Sequence, residues 1–342
     1  MGRRDDGAND NSIAMADVAA AAGVAVSTVS RALSGAGGVS AVRRAQIRQI
    51  ALNLGYIHPA DVDLEGESLK QIRITLVTPE ADRWIFGSIL AGLNDVLSAE
   101  NVSLRVLQGL SASDRVRLLE DSRHEPGVLV LVPAPHDLSV AQLQAAPHRC
   151  LVIAGSLVPG ISSVGVDDVE IGEKATNHLL NLGARTVAFL YHGDHDDTLG
   201  VATRNRRVGY RSAMERAGIE PYEIEVSFGE GAGRQAAETL LAADGLPDGI
   251  FCAADEMAAG VLSVFRQAGV LVPEDVSIIG VDDHPIAGLV GLTTIAQPAR
   301  KQGRYAARLA LRLARGEKGP ITEVLPTHLI IRETTRKVAA RE

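Results

Sequence analysis

The chain has 342 residues, 46% of them hydrophobic and 22% charged, with a formal net charge of −8. That is the composition of an ordinary globular protein with two or three domains. No window approaches the ~20 uninterrupted apolar residues of a membrane helix, which argues against a membrane partner, and no apolar stretch follows Met1-Gly2-Arg3-Arg4, which argues against a secretory signal. The two cysteines, Cys150 and Cys252, each sit in an apolar run and read as buried thiols, so neither a disulfide framework nor a zinc knuckle is expected. The cytoplasm is the expected compartment.

The charge is unevenly spread. Residues 1–60 carry six arginines against four aspartates, a balance of +2, so the rest of the chain carries −10. A small basic module joined to a large acidic one suggests a nucleic-acid-binding head. Aromatics make up only 3%, too few to stack successive bases, so duplex is the expected target and not a single strand.

In chain order, residues 1–12 lack apolar periodicity and read as a disordered tail. Residues 13–57 read as three short helices. Val18 and Ala22 sit one turn apart in the first, Val29 and Leu33 share a face of the second, and Ser40 caps a third that ends at Gly55. Gly23 lies between the first two, where a left-handed turn is needed. This is the pattern of a helix-turn-helix domain. Residues 58–71 are an acidic linker or hinge. From residue 72 to 342, strands expected at 72–77, 102–107, 127–132, 151–154, 186–191, 249–253 and 276–281 alternate with helices near 87–99, 170–182, 204–217, 232–243 and 255–268. The alternation predicts an α/β core of two parallel, doubly wound sheets. One lobe takes about 72–166 and 297–325, the other about 167–296 and 326–337. A last helix near 299–314 and a strand near 327–331 return the chain across the hinge. The cleft between the lobes, beyond the carboxyl ends of the strands, is the expected ligand site.

Asp17-Val-Ala, Ala22-Gly-Val-Ala25 and Thr28-Val-Ser-Arg31 resemble the helix-turn-helix of the lac repressor (LacI/GalR) family, and Val39-Ser40, Arg43 and Gly55-Tyr56 fit its third helix. Arg206-Arg-Val-Gly209-Tyr210, Ala254-Asp255-Glu256-Met257-Ala258, Gly280-Val-Asp282-Asp283, Leu292-Thr-Thr-Ile295 and Gln297 match its regulatory core in order and spacing. The resemblance implies a bacterial transcription regulator, usually a repressor. Such a protein binds a pseudo-palindromic operator as a homodimer or dimer of dimers, and responds to a sugar or related metabolite held in a periplasmic-binding-protein-like core.

On the DNA side the resemblance implies that the second helix enters the major groove. Val26 and Ser27 fall at the family's specificity positions and Arg31 a turn beyond, where it forks onto guanine or phosphate. Thr28 and Ser40 would position phosphates, and Arg43 is the preferred contact of the third helix over Arg44 and Arg48. Tyr56 and the hinge residue Leu64 complete the set. Leu64 stands two residues short of the family's offset from the proline, among four acids and no base. A plain linker therefore competes with a hinge wedged into the minor groove. Ala14 and Ala25 replace capping hydroxyls at the starts of the first two helices.

On the ligand side the resemblance implies Trp84, Phe86, Arg206, Phe228, Asp255, Asp282 and Gln297. Arg206 and Asp282 either hold a diol or an acid between them or pair with each other, and core packing competes for Phe86. Ala154, Ala254 and Val281 stand where relatives carry Asp, Asn and an aromatic, so the effector is smaller or more apolar, or the pocket has lost its ligand. Asp167 and Asp168, placed on the crossover strand, either compensate or form a solvated turn. No cofactor is expected. An enzyme is disfavoured because no complete catalytic constellation is present: Asp282-Asp283 does not give converging carboxyls, and Gly229-Glu-Gly-Ala-Gly233 lacks the Lys-Ser/Thr of a phosphate loop. His192-Gly-Asp-His-Asp-Asp197 carries metal-type ligands but no marked distal partner, and reads as a solvated loop. The alternative, a solute-binding protein of the same core, would have no use for the basic head.

Overall fold

The computed structural model describes residues 15–33, 39–40, 43–44, 46–47, 50–51, 72–78, 83–110, 113–114, 117–118, 127–133, 151–193, 200–227, 229 and 231–336. The chain divides into two compact units, Met1–Gln71 and Ile72–Glu342.

In the first unit, α1 (Met15–Ala22) and α2 (Val26–Leu33) meet at a bend of 102°. Gly23 makes that bend possible at φ +62°, and the amide of Val24 donates back to the carbonyl of Ala19 at 3.1 Å. Val18 and Ala19 of α1 and Val29, Ala32 and Leu33 of α2 pack with Ile47 and Ala51 in a small apolar core. Residues 43–44, 46–47 and 50–51 have helical backbone. Ser40 opens that segment, its Oγ accepting from the amide of Arg43 at 3.3 Å, the geometry of an N-cap.

The second unit holds two six-stranded sheets. The first has the order β11-β5-β4-β3-β1-β2, from β1 (Ile74–Thr78), β2 (Leu104–Gln108), β3 (Val128–Leu131), β4 (Leu151–Ala154), β5 (Ser162–Gly165) and β11 (Thr322–Val324). The second has the order β12-β10-β9-β8-β6-β7, from β6 (Val187–His192), β7 (Tyr222–Val226), β8 (Gly249–Cys252), β9 (Ser277–Asp282), β10 (Thr293–Ala296) and β12 (His328–Ile330). Every strand pair is parallel except β10 with β12. Because successive side chains alternate between faces, each sheet buries both, as a parallel sheet must.

Ile74, Leu76, Val130 and Val152 pack beneath α3 (Trp84–Leu97) and α9 (Ala299–Ala314), while Val77, Leu129 and Ile153 form the core on the other face. In the second sheet Phe189, Phe251 and Ile279 pack against α4 (Asp168–Asn181) and α5 (Gly200–Ala217). Leu190, Ile250 and Cys252 pack against α6 (Ala232–Leu241) and α7 (Asp255–Ala268). Cys252 is a buried free thiol, and burial raises its pKa.

The chain passes between the lobes three times: after β5, between β10 and α9, and between β11 and β12. Four strands differ from the sequence reading. β5, β7, β10 and β11 are short or polar (Ser-Ser-Val-Gly and Tyr-Glu-Ile-Glu-Val among them), and they are specified by neighbours in the sheet more than by their own apolar pattern. A five-residue helix, α8 (Pro285–Leu289), also went unread.

Candidate functional sites

In the helical unit the buried face of α2 leaves Val26, Ser27 and Arg31 exposed and Thr28 half-buried. Val26 keeps 46% of its surface open although it is aliphatic. Arg31 Nε rests on the carbonyl of Ser27 at 3.2 Å. Arg43 reaches the carbonyl of Ala22 and Oε1 of Gln46, each at 3.4 Å. The Ser40 hydroxyl accepts from a helix amide and keeps its donor available. Val26, Ser27 and Arg31 therefore lie on one unpacked surface. Tyr56 and Leu64 fall outside the described residues.

In the two-lobed unit the carboxyl ends of the sheets face each other. Arg83, beyond β1, pairs with Glu256, beyond β8, at 3.3 Å. Trp84, the only tryptophan of the chain, meets His284, beyond β9, edge-on with ring centroids 5.3 Å apart. Phe86 is 4% exposed and packs in the core.

The buried charge of this region lies on the second lobe. Helices α4 and α5 cross where neither carries a side chain: a Cβ on Gly172 would collide with the Arg206 carbonyl, and one on Gly209 with the Val169 carbonyl. That close approach brings Arg206 of α5 against Asp168, in the first turn of α4. Nε donates to Asp168 Oδ1 at 2.9 Å and Nη1 to the carbonyl of Ala253 at 2.6 Å. Arg206 pairs with Asp168 and not with Asp282, which corrects one of the two sequence readings. The reading of Asp167 and Asp168 as strand or solvated turn is corrected as well. Asp167 is the N-cap of α4, accepting from the amides of Val169 and Glu170 at 3.0 Å each, and Asp168 is buried. The sequence did carry a signal, an Asp followed three residues later by Glu170 ahead of an apolar run.

Asp282 ends β9 with φ +119°, and Asp283 follows at φ +53°. Two consecutive non-glycine residues in this region are strained. Arg332 Nη2 holds Asp283 at 2.6 Å, and the amide of His284 donates to Asp255 Oδ2 at 2.9 Å. Asp255, fully buried at the start of α7, also accepts from the Thr294 hydroxyl at 2.8 Å, so it ties the β9 bend to β10. Asp282 Oδ1 accepts from Gln297 Nε2, and Gln297 Oε1 accepts from Gln302 Nε2 at 3.0 Å. Gln297 lies in the second crossing and Gln302 on α9, so this buried relay runs between the lobes.

Burial sets the electrostatics. It pushes the Asp168 carboxyl up to about 6 against the opposing pull of Arg206. It pushes Asp255 up to about 8, with Asp282 adding to the rise and the Thr294 and His284 hydrogen bonds opposing it. Asp282 is raised by burial as well, against Arg206 and Gln297.

Ala154, at the end of β4, and Ala254 are buried, and Ala254 is the N-cap of α7 without a side-chain cap. Val281 is fully buried in the core. Phe228, and the 194–197 part of the His192 loop, fall outside the described residues, among which no metal-holding group of three His, Cys, Asp or Glu occurs. Among the described residues no single helix is long and apolar enough to cross a membrane.

Residues 14–59 match the model for bacterial regulatory proteins of the lacI family, and residues 176–335 match a periplasmic binding protein-like domain. The chain is 32% identical over 340 residues to the HTH-type transcriptional regulator CelR of Thermobifida fusca, covering 93% of this chain and 96% of that one. It is 30% identical over 336 residues to the HTH-type transcriptional repressor CytR of Escherichia coli K12, covering 94% and 96%. A structure of the lac repressor dimer bound to operator and an anti-inducer superposes with a TM-score of 0.79 at 24% identity, covering 95% of this chain and 100% of that one. A CelR–cellobiose complex superposes with a TM-score of 0.67 at 28% identity, covering 94% and 100%.

Proposed function

The chain belongs to the lacI family of bacterial regulatory proteins, and from that premise we propose how its residues divide the work of a DNA-binding transcriptional regulator. It is no enzyme: it reads a pseudo-palindromic operator as a homodimer in the cytoplasm, and a small metabolite in the inter-lobe cleft shifts its affinity for that operator. The observation that carries this reading is the unpacked face of α2, where Val26, Ser27 and Arg31 stand clear of the small core. Val26 offers methyl contact to thymine, Ser27 a short hydrogen bond, and Arg31 a fork for guanine or phosphate. Thr28, Ser40 and Arg43 position the backbone.

In the cleft, Trp84 offers an apolar wall, while Asp282 and Arg206 offer polar contacts. Gln297 and Asp255 hold those contacts in place, and Phe86 supports the wall from the core. A ligand contacting both lobes favours one arrangement of them, and it regulates only through unequal affinity for the alternatives. The solved relatives suggest the effector's class, a sugar or related metabolite, since cellobiose is the ligand bound in CelR.

The test is fluorescence anisotropy on operator duplexes selected from genomic fragments, at two salt concentrations. Specific binding should be abolished by deleting residues 1–60. Arg31→Ala should lose about 1–3 kcal/mol, with relaxed selectivity at one position of each half-site. A full-length protein that binds every fragment equally would refute the proposal.

A further inference from the structure

We propose that the effector carries a cationic nitrogen, set against Asp282 and beside Trp84, and no anionic group. This rests on the cleft being the effector site and goes further by fixing the charge of what it takes.

The first argument is the pairing of charges around the cleft. Three cations have carboxylate partners: Arg206 with Asp168, Arg83 with Glu256, and Arg332 with Asp283. Asp255 and Asp282 have no cation in hydrogen-bond contact among the described residues. Asp255 is closed off, since both its oxygens accept from the protein. Asp282 accepts only the Gln297 amide on Oδ1, and its second oxygen has no partner among the described residues. Arg206, beside it, already gives Nε to Asp168 and Nη1 to Ala253, and Arg83, which also acts on Asp282 electrostatically, is paired with Glu256. An anionic ligand would meet arginines already paired and the buried carboxyl of Asp282. A cation would supply the missing partner, and buried carboxylates favour one strongly.

The second argument is the polarity of the relay. Gln297 presents its NH₂ to Asp282 and its oxygen to Gln302. Gln302 must then present its NH₂, which leaves its Oε1 as the far end. That oxygen is fully buried and accepts from nothing among the described residues. The relay therefore brings Asp282 no donor beyond the Gln297 amide, and the open Asp282 oxygen is filled by a donor such as an ammonium and not by a carboxylate or phosphate.

The third argument is what flanks Asp282. Ala254, just before Asp255, offers a neutral polyol no side-chain hydrogen bond, whereas the Trp84 ring, in contact with His284 two residues after Asp282, is an aromatic that a cation can use.

Full-length protein is screened by thermal shift, and by the emission of its single tryptophan, against a metabolite library sorted by charge. Putrescine, choline and glucosamine are among the cations, glucose and N-acetylglucosamine among the neutral compounds, and gluconate among the anions. The expected hits are cationic, with the matched neutral compound at least about tenfold weaker. By calorimetry Asp282→Asn, which keeps the Gln297 contact, weakens a cationic hit about 30-fold or more. Trp84→Leu, at a half-buried position, weakens it about threefold or more, and it serves where the Asp282 variant fails to fold. A neutral or anionic best hit whose affinity Asp282→Asn leaves unchanged overturns the charge assignment and leaves the cleft reading standing. A library with no hit of any charge overturns both.

Discussion

The first lobe lays α3 across α9 through Gly92 and Gly303, and the second lays α4 across α5 through Gly172 and Gly209. In each crossing an added Cβ on either glycine would strike a backbone carbonyl of the partner helix. The helix contact is thus built the same way in both lobes. The carboxyl ends of the sheets are finished differently. In the second lobe they carry Asp168, Arg206, Asp255 and Asp282, all buried. In the first they carry Thr78, Ala154 and Ser156, also buried but neutral. Shared architecture therefore does not imply a shared role: one lobe supplies the buried charge, and the other supplies buried hydroxyls, an aromatic wall and the less buried Arg83.

The sharpest way to break that contrast is to remove the charge. Arg206→Met leaves Asp168 buried without a partner, and should cost roughly 3–5 kcal/mol in urea unfolding at pH 8. With the guanidinium gone, the Asp168 pKa rises further above its unfolded value. The loss should therefore shrink toward pH 5, where the carboxyl takes a proton. A pH-independent loss would mean that Arg206 acts by packing alone.

The shared part of the comparison makes the opposite demand. Gly209→Ala and Gly303→Ala should each cost on the order of 3 kcal/mol, because a carbonyl stands where the methyl would go. Equal costs in the two lobes would support a common helix contact. A clear inequality, measured by urea unfolding, would show that one crossing can open by sliding.

The difference between the lobes was only partly legible in the sequence. The strong apolar strands, the long helices and the helix-turn-helix could be read from periodicity and from Gly23, because burial imposes those patterns locally. Arg206, Asp255, Asp282 and Gln297 could be singled out by motif, yet their connections could not. That Arg206 meets Asp168 follows from two glycines 37 positions apart, Gly172 and Gly209, letting two helices touch, a property of the packing. The relay ending at Gln302 was invisible for the same reason, and so were Arg83 with Glu256 and Trp84 with His284. The strands missed, β5, β7, β10 and β11, likewise owe their conformation to the strands beside them.

Asp255 offers a finer test. Its carboxyl sits at about 8 in the fold against 3.8 for the unperturbed group, so the fold holds a proton that the unfolded chain has released. Its contribution to stability is complete below about pH 4 and is lost as the pH rises toward 8. Asp255→Asn can still accept from the His284 amide while donating to Thr294, and it does not titrate. It should remove on the order of 2 kcal/mol of that decline between pH 5 and pH 8, read from urea midpoints. An unchanged pH profile would mean that Asp168 and Asp282 carry the whole effect, and that the second lobe's charge is less evenly shared than the geometry suggests.

The smallest expected effect belongs to the first lobe. Thr78 ends β1 with its Oγ1 buried and without a partner among the described residues. Removing a buried hydroxyl that bonds nothing in the protein should be close to neutral or stabilising, by up to about 1 kcal/mol for Thr78→Val, since the isosteric methyl needs no hydrogen bond. If the hydroxyl instead serves a ligand, the same substitution should weaken effector binding while leaving the free protein no less stable. That divergence between thermal stability and ligand affinity is one that a packing role for Thr78 would not produce. A loss of stability in the free protein would show that the hydroxyl is already satisfied by ordered water, and would remove Thr78 from the first lobe's contribution to the cleft.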